Sequence, residues 1–390
     1  MHTSIQLEWS GKSKPNLDIP STSYFPIAHK NSMNSQHQTM ELFWGDNWDI
    51  LLHLRAEQRK FHLIYLDPPF CSDAHYHQIL KRDDRSFHML AYTDTLSPAA
   101  YLQFLYHRFI VLRELLHENG SILVHCDNHQ SHHIRCLLEE VFGAENFRNE
   151  IIWHYTGGGR AKKYFSRKHD NIFWFSKSNE WTFNIDAIRQ PYNKNSGYAK
   201  AGITAKSGKL YTPHPLGTPI DDTWDIPIIN PMSKERVGYP TQKPLELLEK
   251  LILACSNVGD AIFDPFLGSG TTAVASEKLQ RQFTGCDVNI NAIHCSMQRI
   301  EHCIVRSSGH FPPIVEDITL NIEKIETTYH ISCSSLTVQE IRILNTQQEI
   351  THSATTNPIK IGQDVEIASI QVVDLQGNVG TISWQSIQLL

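Results

Sequence analysis

From Met40 onward, short apolar runs alternate with longer stretches in which apolar residues recur every three or four positions. The runs predict strands at Met40–Trp44, Phe61–Leu66, Ser121–His125, Glu150–His154, Asn171–Phe175, Ala261–Phe263 and Gln282–Cys286. The longer stretches predict helices over Trp48–Arg59, Tyr101–His117, His132–Phe142, Pro244–Ala254, Ala273–Leu279 and Ile290–Arg306. Strands that read as continuous apolar runs between helices imply a parallel sheet covered on both faces. The pattern lapses over 178–235, which is rich in Asn, Gly, Lys, Pro and Tyr, and it returns at Pro244. Beyond 309, Ile, Val and Thr alternate with polar residues, and Asp374 to Asn378 has the composition of a hairpin turn. This divides the chain into a flexible N-terminal arm (1–39), a first α/β half (40–177), an irregular insert (178–235), a second α/β half (236–308) and a small β-rich extension (309–390).

Composition narrows the class. A length of 390 residues allows about two domains, or one large α/β domain with an extension. With 41% hydrophobic and 19% charged residues, a wholly disordered or collagen-like chain is excluded. No apolar run approaches the roughly 20 residues of a membrane span, and the polar first forty residues lack a signal-peptide core. A cytoplasmic protein is therefore expected, with no membrane partner. The eight cysteines include no C-x-x-C pair, which fits reduced buried thiols better than disulfides or zinc. Net charge is −6, so any nucleic-acid surface has to be local.

Two segments carry chemistry. Asp264-Pro265-Phe266-Leu267-Gly268-Ser269-Gly270 lies between a strand and a helix, where glycines admit a ligand to the backbone and the helix start offers free N–H donors. Asp287 ends the next strand, the place for a carboxylate that accepts from a ribose diol. A third glycine at dinucleotide spacing is absent, as is the Gly-Lys-Ser/Thr of a phosphate loop, so the ligand reads as a nucleoside without a pyrophosphate. A plain strand–helix turn is the bland alternative, weakened by Asp287. The second segment is Asp67-Pro68-Pro69-Phe70 at the end of a strand. Two prolines stiffen it, so Asp67 and the Pro68 carbonyl form a rigid pair of acceptors beside the flat face of Phe70. That combination suits an exocyclic amino group on a planar ring. The bland alternative is a strand-terminating turn with an incidental acid.

With their flanks, over about 40–306, these motifs resemble the S-adenosylmethionine-dependent DNA amino-methyltransferases that act on adenine N6 or cytosine N4. The likeness is to the β class, in which the catalytic motif comes first and the cofactor motif late. Gly45-Asp46-Asn47 resembles the segment on the adenine side of the cofactor, and Asp67 to Phe70 the catalytic motif. Tyr239-Pro240-Thr241-Gln242-Lys243-Pro244 resembles the helix start preceding the methionine-binding loop at Asp264 to Gly270. The resemblance implies a doubly wound, mostly parallel, Rossmann-like sheet with a circularly permuted motif order. It implies cofactor contacts from Asp46, Asn47, Asp67, Gln242, Lys243, Pro244, Asp264, Phe266, Gly268, Ser269, Gly270, Thr271, Thr272, Asp287 and Asn289. It further implies transfer to an extruded base, with Asp67, Pro68, Pro69 and Phe70 catalytic and no metal. Phe70 stands where Tyr is commoner in the family; both stack on a base. The acidic first residue favours adenine N6 over cytosine N4, with an RNA substrate or a catalytically silent DNA-binding relative as further readings. Family members often pair as dimers, and a homodimer and a cognate restriction nuclease are further expected partners.

Double-stranded DNA is the expected partner of the basic segment. Between Arg160 and Lys209 there are eleven Lys/Arg against three acids. Arg160, Lys162, Lys163, Arg167 and Lys168 are candidate phosphate contacts; Tyr192, Asn193, Asn195 and Tyr198 are candidate base readers. A solvated loop is the bland reading of the charge. The cluster His125, Asp127, His129, His132 and His133 could hold zinc, but a polar strand-end loop is the reading preferred for it. Asp221 to Trp224 is expected to return the chain to the sheet.

Overall fold

In the computed structural model, the described residues are 6–18, 22–30, 39–69, 75–82, 85–93, 97–157, 159–193, 195–239, 241–308 and seven strands between 320 and 383; for 75–93 and beyond 308 the description is of backbone alone. The α/β body comprises β1 (Phe25–Lys30), β2 (Met40–Trp44), α1 (Asn47–Ala56), β3 (Phe61–Leu66), α2 (Pro98–Leu115), β4 (Leu116–Cys126), α3 (Ser131–Phe142), β5 (Phe147–His154), β6 (His169–Ser176) and β7 (Thr223–Asp225). It continues through α4 (Leu245–Cys255), β8 (Ala261–Asp264), α5 (Thr271–Lys278), β9 (Gln282–Asp287), α6 (Ile290–Arg299) and β10 (Cys303–Ser307). The ten strands form one sheet in the order β1-β10-β2-β9-β8-β3-β4-β6-β5-β7. All are parallel except β6 and β1, which run against their neighbours.

Period-two alternation builds the two cores. In β3, Leu63 and Tyr65 belong to the core under α4, α5 and α6, while Ile64 and Leu66 belong to the one under α1, α2 and α3. Several helix starts are capped by side chains: Asp46 accepts from the Trp48 N–H (2.8 Å), Ser97 from Ala100 (3.3 Å) and Asn289 from Asn291 (2.9 Å). Because eight of the strands point the same way, their carboxyl ends form one rim, carrying Asp46, Asp67, Asp127, Asp264 and Asp287.

Some boundaries differ from the sequence reading. Residues 25–30, inside the segment read as a flexible arm, form β1 and pair with β10. The helix expected to run to Arg306 stops at Arg299, because Cys303-Ile304-Val305-Arg306-Ser307 buries every second residue and continues as a strand. The helix expected to reach His117 ends at Leu115, and β4 begins at once. A hairpin of His75–Arg82 and Arg85–Thr93 was not anticipated. In the insert, Thr223–Asp225 does return to the sheet, parallel to β5. Beyond 308, all seven described elements are strands, in sheets of three and four. The expected turn at 375–378 lies outside the described residues, between two strands that pair antiparallel.

Candidate active site

A cavity of about 500 Å³ opens on the rim between the ends of β3, β8, β9 and β2. Asp67, Pro68, Asp264, Gly268 and Asp287 all line it, so the two sequence motifs meet. Asp46, Asn47, Pro69, Lys243, Phe266, Ser269, Thr271 and Thr272 line it as well.

The loop after β8 is tied down from below. Asp264 accepts from the Phe266 N–H (3.0 Å) and from the Thr272 hydroxyl (2.6 Å). Burial nevertheless lifts its carboxyl to about 7, and the nearby carboxylates of Asp67 and Asp287 add to the shift. Asp287 accepts from the N–H groups of Gly268 (2.9 Å) and Asn289 (2.8 Å), which fixes its carboxylate against the loop. Burial raises its carboxyl to about 6, against those hydrogen bonds. The two glycines differ in purpose. A Cβ on Gly268 meets nothing closer than 3.6 Å, so that position leaves room for a ligand. A Cβ on Gly270 would collide with Ser296, so Gly270 serves the packing of α6 on α5.

On the other wall, Arg108 reaches from α2, donating to Asn47 Oδ1 (2.6 Å) and to Asp46 Oδ1 (3.1 Å). Asn47 in turn donates to the Pro265 carbonyl (3.0 Å), which joins the first half of the chain to the second. The Lys243 ammonium donates to Asp67 Oδ2 across 176 positions of sequence. The other oxygen, Asp67 Oδ1, is buried with no hydrogen-bond partner among the described residues. Behind it the Tyr65 hydroxyl meets His125 Nδ1 (2.9 Å), His125 Nε2 meets Asp170 (3.2 Å), and Tyr155 donates to the same carboxylate (3.1 Å). Burial pushes the Asp170 carboxyl up, but hydrogen bonding and charge from His125 outweigh it and leave it below its ordinary value.

Several expected contacts fall elsewhere. Gln242 closes its own loop, donating to the Glu235 carbonyl (2.8 Å) and accepting from Val237 (3.0 Å). Pro244 is the residue before α4, and Asn289 caps α6; neither lines the cavity. Lys243 belongs to the site, but its partner is the acid of the other motif. Phe70 lies outside the described residues, as does Pro240. The sequence reading missed Tyr65, Tyr101, Phe104 and Arg108 as cavity residues, while Tyr239 and Thr241, quoted within a motif but not named as contacts, line it too. Arg108 had a signal available: a cation on the apolar stripe of a helix, 7% exposed, requires a buried acceptor. His125 is fully buried in β4, not in a polar loop, and no cluster of metal-binding side chains occurs among the described residues.

The basic segment sits on the same rim, since β6 runs backwards and its first residues meet the ends of β4 and β5. Arg160, Lys162, Lys163 and Arg167 are exposed and Lys168 is half-buried. Tyr192 and Tyr198 are engaged within the insert. Tyr192 Oη accepts from the His214 N–H (3.0 Å), Tyr198 donates to the Thr212 carbonyl (3.0 Å), and their rings meet edge to face. Asn193 accepts from the Asn195 N–H (2.9 Å), so this stretch is a self-bonded turn. Asn195 itself is exposed.

The family model for N6/N4 methyltransferases, described as DNA methylase, matches residues 61–298. The type II methyltransferase M.EcaI of Enterobacter cloacae is 30% identical over 66% of this chain and 68% of its own length. M1.MboII of Moraxella bovis, also a type II methyltransferase, is 32% identical over 62% of this chain and 89% of its own. The Escherichia coli K12 protein YhdJ, a DNA adenine methyltransferase, is 25% identical over 67% and 83%. With more than half its length matched, and with the cavity joining its two motifs, the chain belongs to the N6/N4 DNA methylase family, whose methyl donor is S-adenosylmethionine.

Proposed function

We propose that the chain methylates adenine N6 in duplex DNA at a specific site, after extruding the target nucleotide into the cavity. One observation carries this reading: Asp67, whose buried Oδ1 has no hydrogen-bond partner among the described residues, lines the same cavity as Gly268 and Asp287. The residues present suit S-adenosylmethionine. Asp287 offers a fixed carboxylate to the ribose hydroxyls, Gly268 leaves room for the chain of the amino acid, and the Asp46–Asn47 segment walls the purine side. When bound there, the cofactor supplies an electrophilic methyl group on a sulfonium centre.

The protein's own part is positioning. The exocyclic amine is a poor nucleophile, because its lone pair is delocalised into the ring. Asp67 Oδ1 and the Pro68 carbonyl accept its two N–H bonds, which turns the remaining lone pair toward the methyl group. The twin prolines hold those acceptors in place before the substrate arrives, so little reorganisation is needed at the moment of transfer. The Lys243 ammonium, donating to Asp67 Oδ2, keeps the carboxylate aimed. Phe70 stacks on the extruded base, an interaction worth roughly 1–3 kcal/mol against the cost of opening the pair. An acidic first residue in this motif favours adenine over cytosine, and the E. coli relative is an adenine enzyme. The basic rim of Arg160, Lys162, Lys163, Arg167 and Lys168 suits a phosphate backbone.

Purified protein incubated with duplex DNA and S-adenosylmethionine labelled in its methyl group tests this, with the modified base identified after digestion. Label should appear as N6-methyladenine and fall by about a hundred- to a thousandfold in Asp67→Ala, a loss on the scale of removing an oriented transition-state group. Label on cytosine N4 would overturn the base assignment, and undiminished transfer by Asp67→Ala would overturn the role of that residue.

A further inference from the structure

Between β5 and β6, residues 155–168 hold five Lys/Arg and no acid. The tip of this loop turns two aromatic rings outward: Phe165 is 98% exposed and Tyr164 67%. A phenylalanine left wholly in water gains nothing from the fold, so its surface is available to something outside it. Hydrogen bonds tie the described residues of the loop to one another. Across the tip the Ala161 N–H donates to Ser166 Oγ (2.9 Å), and at the base the Tyr155 N–H donates to the Lys168 carbonyl (2.9 Å). The Lys168 ammonium donates to the carbonyls of Gly157 and Gly159. Arg167 donates to His129 Nε2 (2.8 Å), and His129 is held by Asp127 (2.5 Å), the residue that follows β4. The loop is thus anchored to the strand beside the one that ends in Asp67.

We infer that Phe165 is a wedge that enters the base stack of duplex DNA where the target nucleotide leaves it. The inference rests on the DNA-methylating function proposed above and goes beyond it, naming the element that keeps the vacated stack from closing. Cations lie on both sides of the ring in sequence, Lys162 and Lys163 before it and Arg167 and Lys168 after it. That arrangement fits an apolar group entering between base steps while Lys162 and Lys163 hold the phosphates, with Arg167 and Lys168 bracing the loop from the other side. A partner protein that covered this tip would instead need acidic groups around an apolar socket, and it becomes an outcome of the test.

The target sequence is first read by sequencing DNA from a host that expresses the full chain. Methyl transfer is then measured on a duplex with that sequence, and on the same duplex with an abasic residue opposite the target. Phe165→Ala should lower kcat/KM on the paired duplex by roughly ten- to a hundredfold, the span of a lost stacking contact, and by less than about threefold where the target is already unpaired. Phe165→Trp should restore most of the rate. With 2-aminopurine at the target position, the wild type should raise the fluorescence and Phe165→Ala should not. The salt dependence of DNA binding should be unchanged in Phe165→Ala, whereas Lys162→Ala should reduce its slope by about one. Equal losses on both duplexes would overturn the wedge in favour of a general contact. No loss on either would overturn it and leave the aromatic tip to a partner protein. Absence of transfer by the wild type on either duplex would remove the underlying function, and the wedge with it.

Discussion

Asp287 is held by two backbone N–H groups, yet its carboxyl is raised to about 6 by the protein around it. An acid raised by the fold favours its neutral form in the folded chain, so it costs stability as pH climbs from about 4, where the unfolded acid ionises, toward its folded value. Asp264, raised to about 7, acts in the same direction over a slightly wider window. A ribose diol that donates to Asp287 reverses the local balance, because it stabilises the ionised form. Cofactor binding should therefore release protons near pH 6, and affinity should rise with pH through that value before levelling off. Calorimetry in two buffers of different ionisation enthalpy reads the proton count directly. Net proton uptake, or a release that persists in Asp287→Asn, would show that this acid does not receive the diol. At this scale the sequence was legible where a motif names its own residues, as with Asp67, Gly268 and Asp287. It was not legible for Tyr65, which enters the cavity from a strand whose pattern announces only packing, and for Arg108 the one sign was a cation on an apolar helix stripe. For Lys243 it gave the residue without the partner, since an ion pair across 176 positions exists only once the sheet is assembled.

Among the elements, the turn between β8 and α5 separates ligand room from structural room within three residues. Gly270 has φ of 76° and its missing side chain is what lets Ser296 of α6 pack there. Gly270→Ala should lower stability by about 2–4 kcal/mol, from left-handed backbone and overlap together, and so lower the melting temperature by several degrees. Gly268 has φ of 50° but open space beside it. Gly268→Ala should cost about 1–2 kcal/mol for its backbone and weaken cofactor binding more than it weakens the fold. Thermal melts with and without cofactor separate the two; equal effects would merge the roles. The strands and helices around this turn were legible because their periods are unmixed. Where periods compete, as in Ile300 to Ser307, apolar spacing suited a helix while alternation under β-branched residues produced β10.

For the whole molecule, the ten-stranded sheet works as a single frame: β2, β9, β8, β3 and β4 bring both motifs to one rim, and β6 and β5 carry the basic loop to the same side. The layered α/β class followed from alternation, and the meeting of its two halves from the motifs' resemblance to the amino-methyltransferases. The participation of β1 did not, because a short strand at a sheet margin contributes too few apolar positions to stand out. That strand shields β10, whose other neighbour is β2. Removing residues 1–38 would bare a row of backbone N–H and C=O groups along β10, a ready template for a second molecule. The shortened protein should self-associate at concentrations where the full chain runs as a discrete species in light scattering; a monodisperse shortened protein would show that the margin needs no cover. In practice the choice of translation start, or of where an affinity tag is joined, becomes a question of colloidal behaviour, and a protein that precipitates after trimming would say nothing about its catalytic competence.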